Sequence, residues 1–490
     1  MTNNQNNSTS HLALSGMFWT FAERVGAQLV TFIVTIILAR ILGPDEYAFI
    51  AIVMVFLVIA DVFVTSGFGS SLVQKLDVDQ IDFSTTFYFS LGFSLIIYLL
   101  LYLFAPYIAK FYEMEQLTLV IRVMSIRIII ASVNSVQQAY VARKLQFRKF
   151  FKSTLIGAIV SAIIGVFMAY SGYGVWALVA QYLINVTIST SVLWCISGWR
   201  LTKDFSYERM KGLFSFGWKV MVSNVYHELV LQARALVLGK LASPRELSFY
   251  NQGEKFPALF INNIETSIQK VMAPIISIEQ KDLIRVLFLT RKTIQVASFI
   301  IWPLIIGLSA VSESLIEILF TEKWIGCVPY LKLICVAYMF APISEAHVRT
   351  IRAIGRSDIT LKTTCSVDTF NIIILAIAVL CHFNGIGIVC TLIVASMTMM
   401  MINGIADRKM IGYRLRDQFK DLLPTGLSVI IMYFAVNLIS AVPINLFIKF
   451  LIQIIVGFVV YIGMSYIINR STLKYVIEIG ISYIKKVRNK

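Results

Sequence analysis

Fourteen stretches of about twenty predominantly apolar residues recur along this 490-residue chain. Each is as long as a helix must be to cross the ~30 Å hydrocarbon core of a bilayer. They fall at 16–41, 46–70, 83–105, 117–141, 153–170, 174–198, 213–239, 247–275, 288–310, 327–348, 363–381, 386–406, 421–440 and 444–469. A membrane β-barrel would show segments of about ten residues with alternating hydropathy, which these are not. Composition agrees with a membrane protein: 58% of residues are apolar, 14% are charged, and the mean hydropathy is +0.78. A soluble domain carries about 25% charged residues. A soluble enzyme, a disordered chain and a fibrous repeat are excluded, and the expected fold class is an all-α polytopic membrane protein with about 14 transmembrane helices.

Lys and Arg number 43 against 27 Asp and Glu, a net charge of +16. In a membrane protein such an excess reports orientation, because short cytoplasmic loops are enriched in Lys and Arg. With the loops assigned alternately to two sides, one side collects 29 basic residues, including Arg143–Lys152, Arg200–Lys211, Arg349–Lys362 and the C-terminal tail. The other side has five: Arg40, Lys110, Lys240, Arg245 and Lys323. Both termini are therefore expected in the cytoplasm, and no nucleic-acid partner is implied. The first sixteen residues have neither a basic n-region nor a small-residue cleavage site, so the first span is expected to be retained. The six cysteines form no CxxC pair and have no His at zinc spacing, so they read as apolar thiols. No metal and no cofactor is expected. The longest outer loop, around 311–326, is too short for a soluble domain.

The sequence repeats itself weakly. Arg40-Ile41-Leu42-Gly43-Pro44-Asp45-Glu46 returns as Lys240-Leu241-Ala242-Ser243-Pro244-Arg245-Glu246. Arg143 and Arg148, leaving helix 4, are matched by Arg352 and Arg356, leaving helix 10. The turn Gly172-Tyr173-Gly174-Val175 is matched by Gly385-Ile386-Gly387-Ile388. Six helices is an even number, so two such sets share one orientation. They are expected to be related by an axis along the membrane normal, with the substrate site between them. The expected organisation is a tail (1–15), an N-lobe (16–200), a C-lobe (201–415), two further helices (416–470) and a basic tail (471–490).

The opening FWTFAERVGAQLVTFIVTIILARILGPDEYAFIAI resembles the first two helices of polysaccharide-type flippases, the Wzx-like exporters of the multidrug, oligosaccharidyl-lipid and polysaccharide exporter superfamily. Phe249-Tyr250-Asn251-Gln252-Gly253-Glu254-Lys255, with Pro257 and Pro274, is similar to that family's eighth helix. The chain departs at Ala48, where the family often has Gly. The resemblance implies alternating access between two six-helix lobes, with undecaprenyl-diphosphate-linked sugar as cargo.

An ionisable residue at the bilayer centre costs ~2.5–3.5 kcal/mol on insertion scales, so each is a candidate site residue facing protein or water. Arg24, Gln28, Thr31 and Thr35 make one polar stripe on helix 1. Arg127, Asn134 and Gln138 make another on helix 4, with Arg122 further out. Helix 7 carries Asn224, His227, Glu228 and Arg234; helix 8 carries Glu254, Lys255, Glu265 and Lys270. A diphosphate bears about two negative charges, and a guanidinium fork matches its oxygens. The expected substrate-binding set is therefore Arg24, Gln28, Arg122, Arg127, Asn134, Asn224, His227, Arg234 and Lys255. Glu23, Asp61, Glu228, Glu254 and Glu265 are the expected ion-coupling or gating set. Depth along antiparallel helices places Asp61 level with Glu23 and Arg24. A structural reading stands beside each functional one: ion pairs holding helices together, and a packing role for His227.

The sequence reads as a bacterial inner-membrane flippase for lipid-linked repeat units of O-antigen, capsule or exopolysaccharide. Its expected partners are that glycan, membrane lipids, H⁺ or Na⁺ as coupling ion, and a polysaccharide polymerase. The alternative is a drug or cation antiporter of the same superfamily, which would favour acidic and aromatic cavity groups. A sugar polymerase or ligase would need a large catalytic outer loop that this chain lacks. The tail from Ser471 places Tyr475, Ile479 and Tyr483 on one side, which suits a helix on the anionic leaflet or a simple stop-transfer flank.

Overall fold

The structure, a computed structural model, describes residues 26–65, 72 and 77–488. Every regular element among them is helical. In chain order these are α1 (Gly26–Ile41), α2 (Pro44–Thr65), α3 (Gln80–Tyr112), α4 (Leu117–Met124), α5 (Ile126–Arg143), α6 (Phe147–Tyr170), α7 (Val175–Ser197), α8 (Tyr207–Leu241) and α9 (Pro244–Ile278). They continue as α10 (Leu283–Ala310), α11 (Ser312–Phe320), α12 (Cys327–Tyr338), α13 (Ala341–Ala353), α14 (Ser357–Leu380), α15 (Gly385–Ile411), α16 (Leu415–Ser440), α17 (Leu446–Ile468) and α18 (Arg470–Arg488).

Among the described residues, 11 spans are long and apolar enough to cross a membrane. This is an all-helical polytopic membrane fold. Each of the other three expected windows also meets a helix. The described part of the first, Gly26–Ile41, is a shorter apolar helix. The seventh and eighth are α8 and α9, of 35 residues each, whose charged residues keep them off the apolar tally. The segment 311–326, expected as an outer loop, holds the short helix α11. The tail is a helix, α18, whose Leu473 and Val476 pack into an apolar core with residues of α10 and α16. Lys292 of α10 sits 5.3 Å above the Tyr475 ring, so this part of the tail is seated on protein.

The chain divides into two compact units, Met1–Ser248 and Phe249–Lys490. In the first unit α8 is fastened to α3 at both ends. Asp79 caps α3 through a reciprocal bond with Asp82, and Arg209 of α8 donates to Asp79 and lies 3.5 Å from Asp82. At the far end Lys240 lies 2.9 Å from Glu113 and donates to the Phe111 carbonyl at 2.6 Å. These pins explain why α8 groups with the helices before it. The charge-assisted bond from Arg209 holds the Asp79 carboxyl below its ordinary range, and the bond from Lys240 does the same for Glu113.

Lipid tails are as apolar as Leu, so membrane helices associate through close packing and interhelical hydrogen bonds. Helix α6 shows this. Ser153, Gly157, Ser161, Gly165 and Ala169 recur every four residues and are buried. A Cβ on Gly157 would lie 2.0 Å from Ser189 Oγ and 2.9 Å from the Asn185 carbonyl of α7. Asn185 Nδ2 donates to Ser161 Oγ at 3.3 Å. Burial also ranks the helices. More than half of the apolar window of α2 is buried, but only 17% of those of α3 and α7, so α2 is interior to its unit.

In the second unit α10 is the interior helix, with 61% of its window buried. Tyr461 donates to the Phe299 carbonyl at 2.6 Å, and Trp302 Nε1 to the Met339 carbonyl at 2.8 Å. Gly253 gives α9 its approach to α12: an added Cβ would sit 3.1 Å from Leu331 N and 3.3 Å from the Cys327 carbonyl. Phe249 packs on Gly326, where a Cβ would come within 2.5 Å of the ring. The Phe249–Gly253 motif is thus used for packing.

Two spans are broken, and they are the repeat partners helix 4 and helix 10. The first breaks at Ser125, whose Oγ back-bonds to the Ile121 carbonyl at 2.7 Å, a contact that bends helices. The second breaks at 339–340, just before Pro342. That residue supplies no N–H, and its ring crowds the Tyr338 carbonyl four residues back.

Candidate functional site

Arg127 is the second residue of α5, immediately after the Ser125 break. Its Nη2 lies 2.8 Å from Asp61 Oδ2 of α2, and the two side chains are 24% and 20% exposed. Its Nη1 is buried and has no hydrogen-bond partner among the described residues. The same holds for Asn134 Oδ1, seven residues on and therefore on the same helical face. Gln138 continues that face and is exposed. Tyr182 of α7 lies within electrostatic range of both Arg127 and Tyr47. The start of a helix carries a positive dipole end, which adds to the Arg charge. The arrangement is a largely buried guanidinium with one nitrogen committed to Asp61 and one without a partner among the described residues, which can accept an anion.

Arg122 stands apart. Its Nε donates to the Tyr102 carbonyl at 3.3 Å and its guanidinium lies 4.2 Å over the Tyr102 ring, so it faces α3. Gln28 is half-buried on α1. On α8, Asn224 and His227 are exposed, Arg234 is buried, and Glu228 accepts from Gln232 Nε2 at 2.7 Å. In the second unit Lys255 is exposed and Glu254 accepts from the Tyr338 hydroxyl at 2.6 Å. Glu23, Arg24 and the side chain of Glu265 lie outside the described residues. Asp61 was expected level with Glu23 and Arg24, which lie outside the described residues; among the described residues it pairs with Arg127.

An apolar groove of about 540 Å³ runs between α1 and α6, lined by residues such as Ile33, Ile37, Ile163 and Phe167. It has the chemistry of a lipid chain.

A second polar cluster lies in the second unit, among residues outside the expected site sets. Asp407 lies on α15 and is fully buried against His347 of α13. Tyr413, Asp421 and Arg291 carry the network outward. The Tyr413 hydroxyl donates to Asp421 at 2.8 Å, and Arg291 grips the Asp421 carboxylate with two bonds of 2.8 and 2.7 Å.

Comparison with known proteins places the chain. Residues 37–329 match the family described as "Polysaccharide biosynthesis protein". The teichuronic acid biosynthesis protein TuaB of Bacillus subtilis is 24% identical over 354 residues, 71% of this chain and 72% of that one. The lipopolysaccharide biosynthesis protein WzxC of Escherichia coli is 20% identical over 352 residues, 71% of each chain. Among solved structures, the lipid II flippase MurJ in an inward closed conformation aligns with a TM-score of 0.77 at 18% identity. That alignment covers 94% of this chain and all of that one. An inward-facing multidrug resistance MATE family transporter, described as of the MOP superfamily, aligns with a TM-score of 0.60 at 13% identity, over 79% of this chain and 94% of that one. The chain belongs to the polysaccharide biosynthesis protein family, bacterial multi-pass membrane transporters of the Wzx-like flippase type and not enzymes.

Proposed function

We propose that this chain flips undecaprenyl-diphosphate-linked oligosaccharide repeat units from the cytoplasmic to the outer leaflet of the bacterial inner membrane by alternating access. Both termini would lie in the cytoplasm, the working scaffold would be two six-helix lobes (16–200 and 201–415), and 14 helices would cross the bilayer. The cargo is a diphosphate on a polyprenyl tail. The observation that carries the reading is Arg127, held on one side by Asp61 and with Nη1 buried and without an acceptor among the described residues, at the start of a broken membrane helix. A guanidinium fork pairs two phosphate oxygens at once and keeps its charge at any physiological pH. Asn134 adds a carbonyl acceptor on the same face for sugar hydroxyls. The apolar groove between α1 and α6 supports a lipid-linked cargo. The names of the relatives, teichuronic acid and lipopolysaccharide biosynthesis proteins, support a part in making a surface polymer, and the matching breaks in helices 4 and 10 support the two-lobe repeat.

The test is deletion of the gene in its host. Surface polysaccharide should disappear, and lipid-linked repeat units should accumulate where externally added glycosidase cannot reach them. A deletion strain with normal surface polymer and no accumulated lipid-linked glycan would overturn the reading.

A further inference from the structure

We propose that His347 and Asp407 form a proton-binding site in the second unit, and that release of the shared proton loosens α13 from α15 and α16. Only its place in the transport cycle rests on the function proposed above.

The geometry dictates the proton count. Both side chains are completely buried, with His347 Nδ1 2.7 Å from Asp407 Oδ2. The other ring nitrogen, Nε2, lies 3.2 Å from Gln418 Oε1 of α16. Gln418 Nε2 donates to the Tyr413 carbonyl at 3.4 Å, which turns the amide oxygen toward the ring. Each imidazole nitrogen therefore faces an acceptor. One proton must sit on Nε2, and a second must lie between Nδ1 and Oδ2, on whichever atom holds it. With both in place the pair is electrically neutral overall. Remove the second, and one ring nitrogen is left as a lone pair facing an acceptor, Asp407 at 2.7 Å or Gln418 at 3.2 Å according to the tautomer, with a net negative charge in a dry site. Asp407 Oδ1 has no hydrogen-bond partner among the described residues, so no second donor offsets that charge. A buried uncompensated carboxylate costs several kcal/mol, and parting the helices to admit water relieves it.

Of the charged groups on the helices of this unit, Arg349, Arg291 and Lys332 are paired with carboxylates. On α13 itself, Arg349 pairs with Glu345 at 3.1 Å. From α10, Arg291 is held by Asp421 and lies 5.7 Å from the Tyr413 ring. From α16, Asp417 acts on Arg291 and Tyr413. On α12, Lys332 pairs with Glu313. On α14, Asp368 is buried. On α15, Arg408 and Lys409 follow Asp407 and are exposed. The dyad thus ties α13 directly to α15, and to α16 through Gln418. The joined state is the protonated one, favoured at low pH and lost as pH rises.

Two measurements test this, one of them independent of cargo. In the purified full chain, hydrogen–deuterium exchange of residues 341–353 and 402–418, with labelling times scaled for pH, should rise with pH in a single step. Asp407→Asn, whose neutral amide can still bond His347, should abolish the step. Should that variant fail to fold, the double variant His347→Gln/Asp407→Asn serves in its place. In proteoliposomes carrying fluorescent polyprenyl-diphosphate glycan, a pH gradient should change the wild-type flipping rate. The ratio of rates with and without the gradient should fall to one in the variant. An exchange step or a gradient response that survives in the variant overturns the proposal. An exchange step lost in the variant, in a protein that flips no such lipid, supports the proton site and rejects the cargo reading instead.

Discussion

Arg127 reaches across the α2–α5 contact to Asp61 with 2.8 Å between Nη2 and Oδ2, while its Nη1 has no acceptor among the described residues. An Arg serving only as a structural counter-ion would be expected to spend both terminal nitrogens on protein. Here the pair holds the guanidinium in place and leaves Nη1 without an acceptor among the described residues. If binding is its task, Arg127→Lys keeps the charge, loses the fork and should lower polymer export partially. Arg127→Ala should abolish export at normal membrane abundance. If the pair is structural, truncating Arg127 leaves a buried carboxylate at a cost of about 3–5 kcal/mol. Abundance would then fall, and Arg127→Ala/Asp61→Ala would restore both protein and export. Membrane abundance measured beside surface polysaccharide separates the two.

The small-residue face of α6 predicts a packing defect. Leu at position 157 cannot fit against the Asn185 backbone of α7. Overpacking of this kind costs about 1–3 kcal/mol. Gly157→Leu should lower the melting temperature in detergent, whereas Ile163→Leu, on the exposed face of the same helix, should not. Equal melting temperatures for Gly157→Leu and wild type would remove the close-approach argument.

Acid should weaken the α3–α8 pin. Arg209 holds the Asp79 carboxyl below its ordinary range, so the ionised form stabilises the fold. That contribution is complete above the ordinary Asp value of about 3.9 and is lost as pH falls through the lowered one. A thermal series below about pH 5 should show wild type losing its advantage over Asp79→Asn. Parallel curves would mean that the pin adds nothing.

Topology follows from loop charge. A reporter fused after Arg148 or Arg356 should lie in the cytoplasm, and one after Ser171 or Asn384 outside. If the Arg148 and Ser171 fusions report the same side, the span count is wrong and the two-lobe scheme goes with it.

The helices were legible because a bilayer imposes length and apolarity on each span, and all fourteen windows meet a helix. Pairings between helices were less so. Depth arithmetic registers position along the membrane normal and not rotation about a helix axis; the level it gave Asp61 with Glu23 and Arg24 concerns residues outside the described ones. Rotation is what brings Asp61 to Arg127 and turns Arg122 toward Tyr102. The His347–Asp407 contact was hidden for another reason. Asp407 sits beside Arg408 and Lys409 and reads as the start of a basic loop, yet α15 continues to Ile411 and carries it inside. The break at 339–340 did have a signal, Pro342, and the break at Ser125 had only a single hydroxyl. The four-residue repeat of small residues in α6 was present in the sequence and marks a helix contact.

The most direct test of the central claim is reconstitution. Purified protein in liposomes, loaded with a fluorescent undecaprenyl-diphosphate glycan, is assayed by loss of protection from a membrane-impermeant quencher. Wild type should equilibrate the lipid between leaflets. Arg127→Ala, folded to the same melting temperature, should leave it at the protein-free rate. Flipping by Arg127→Ala at the wild-type rate would contradict the assignment of Arg127 to the cargo diphosphate.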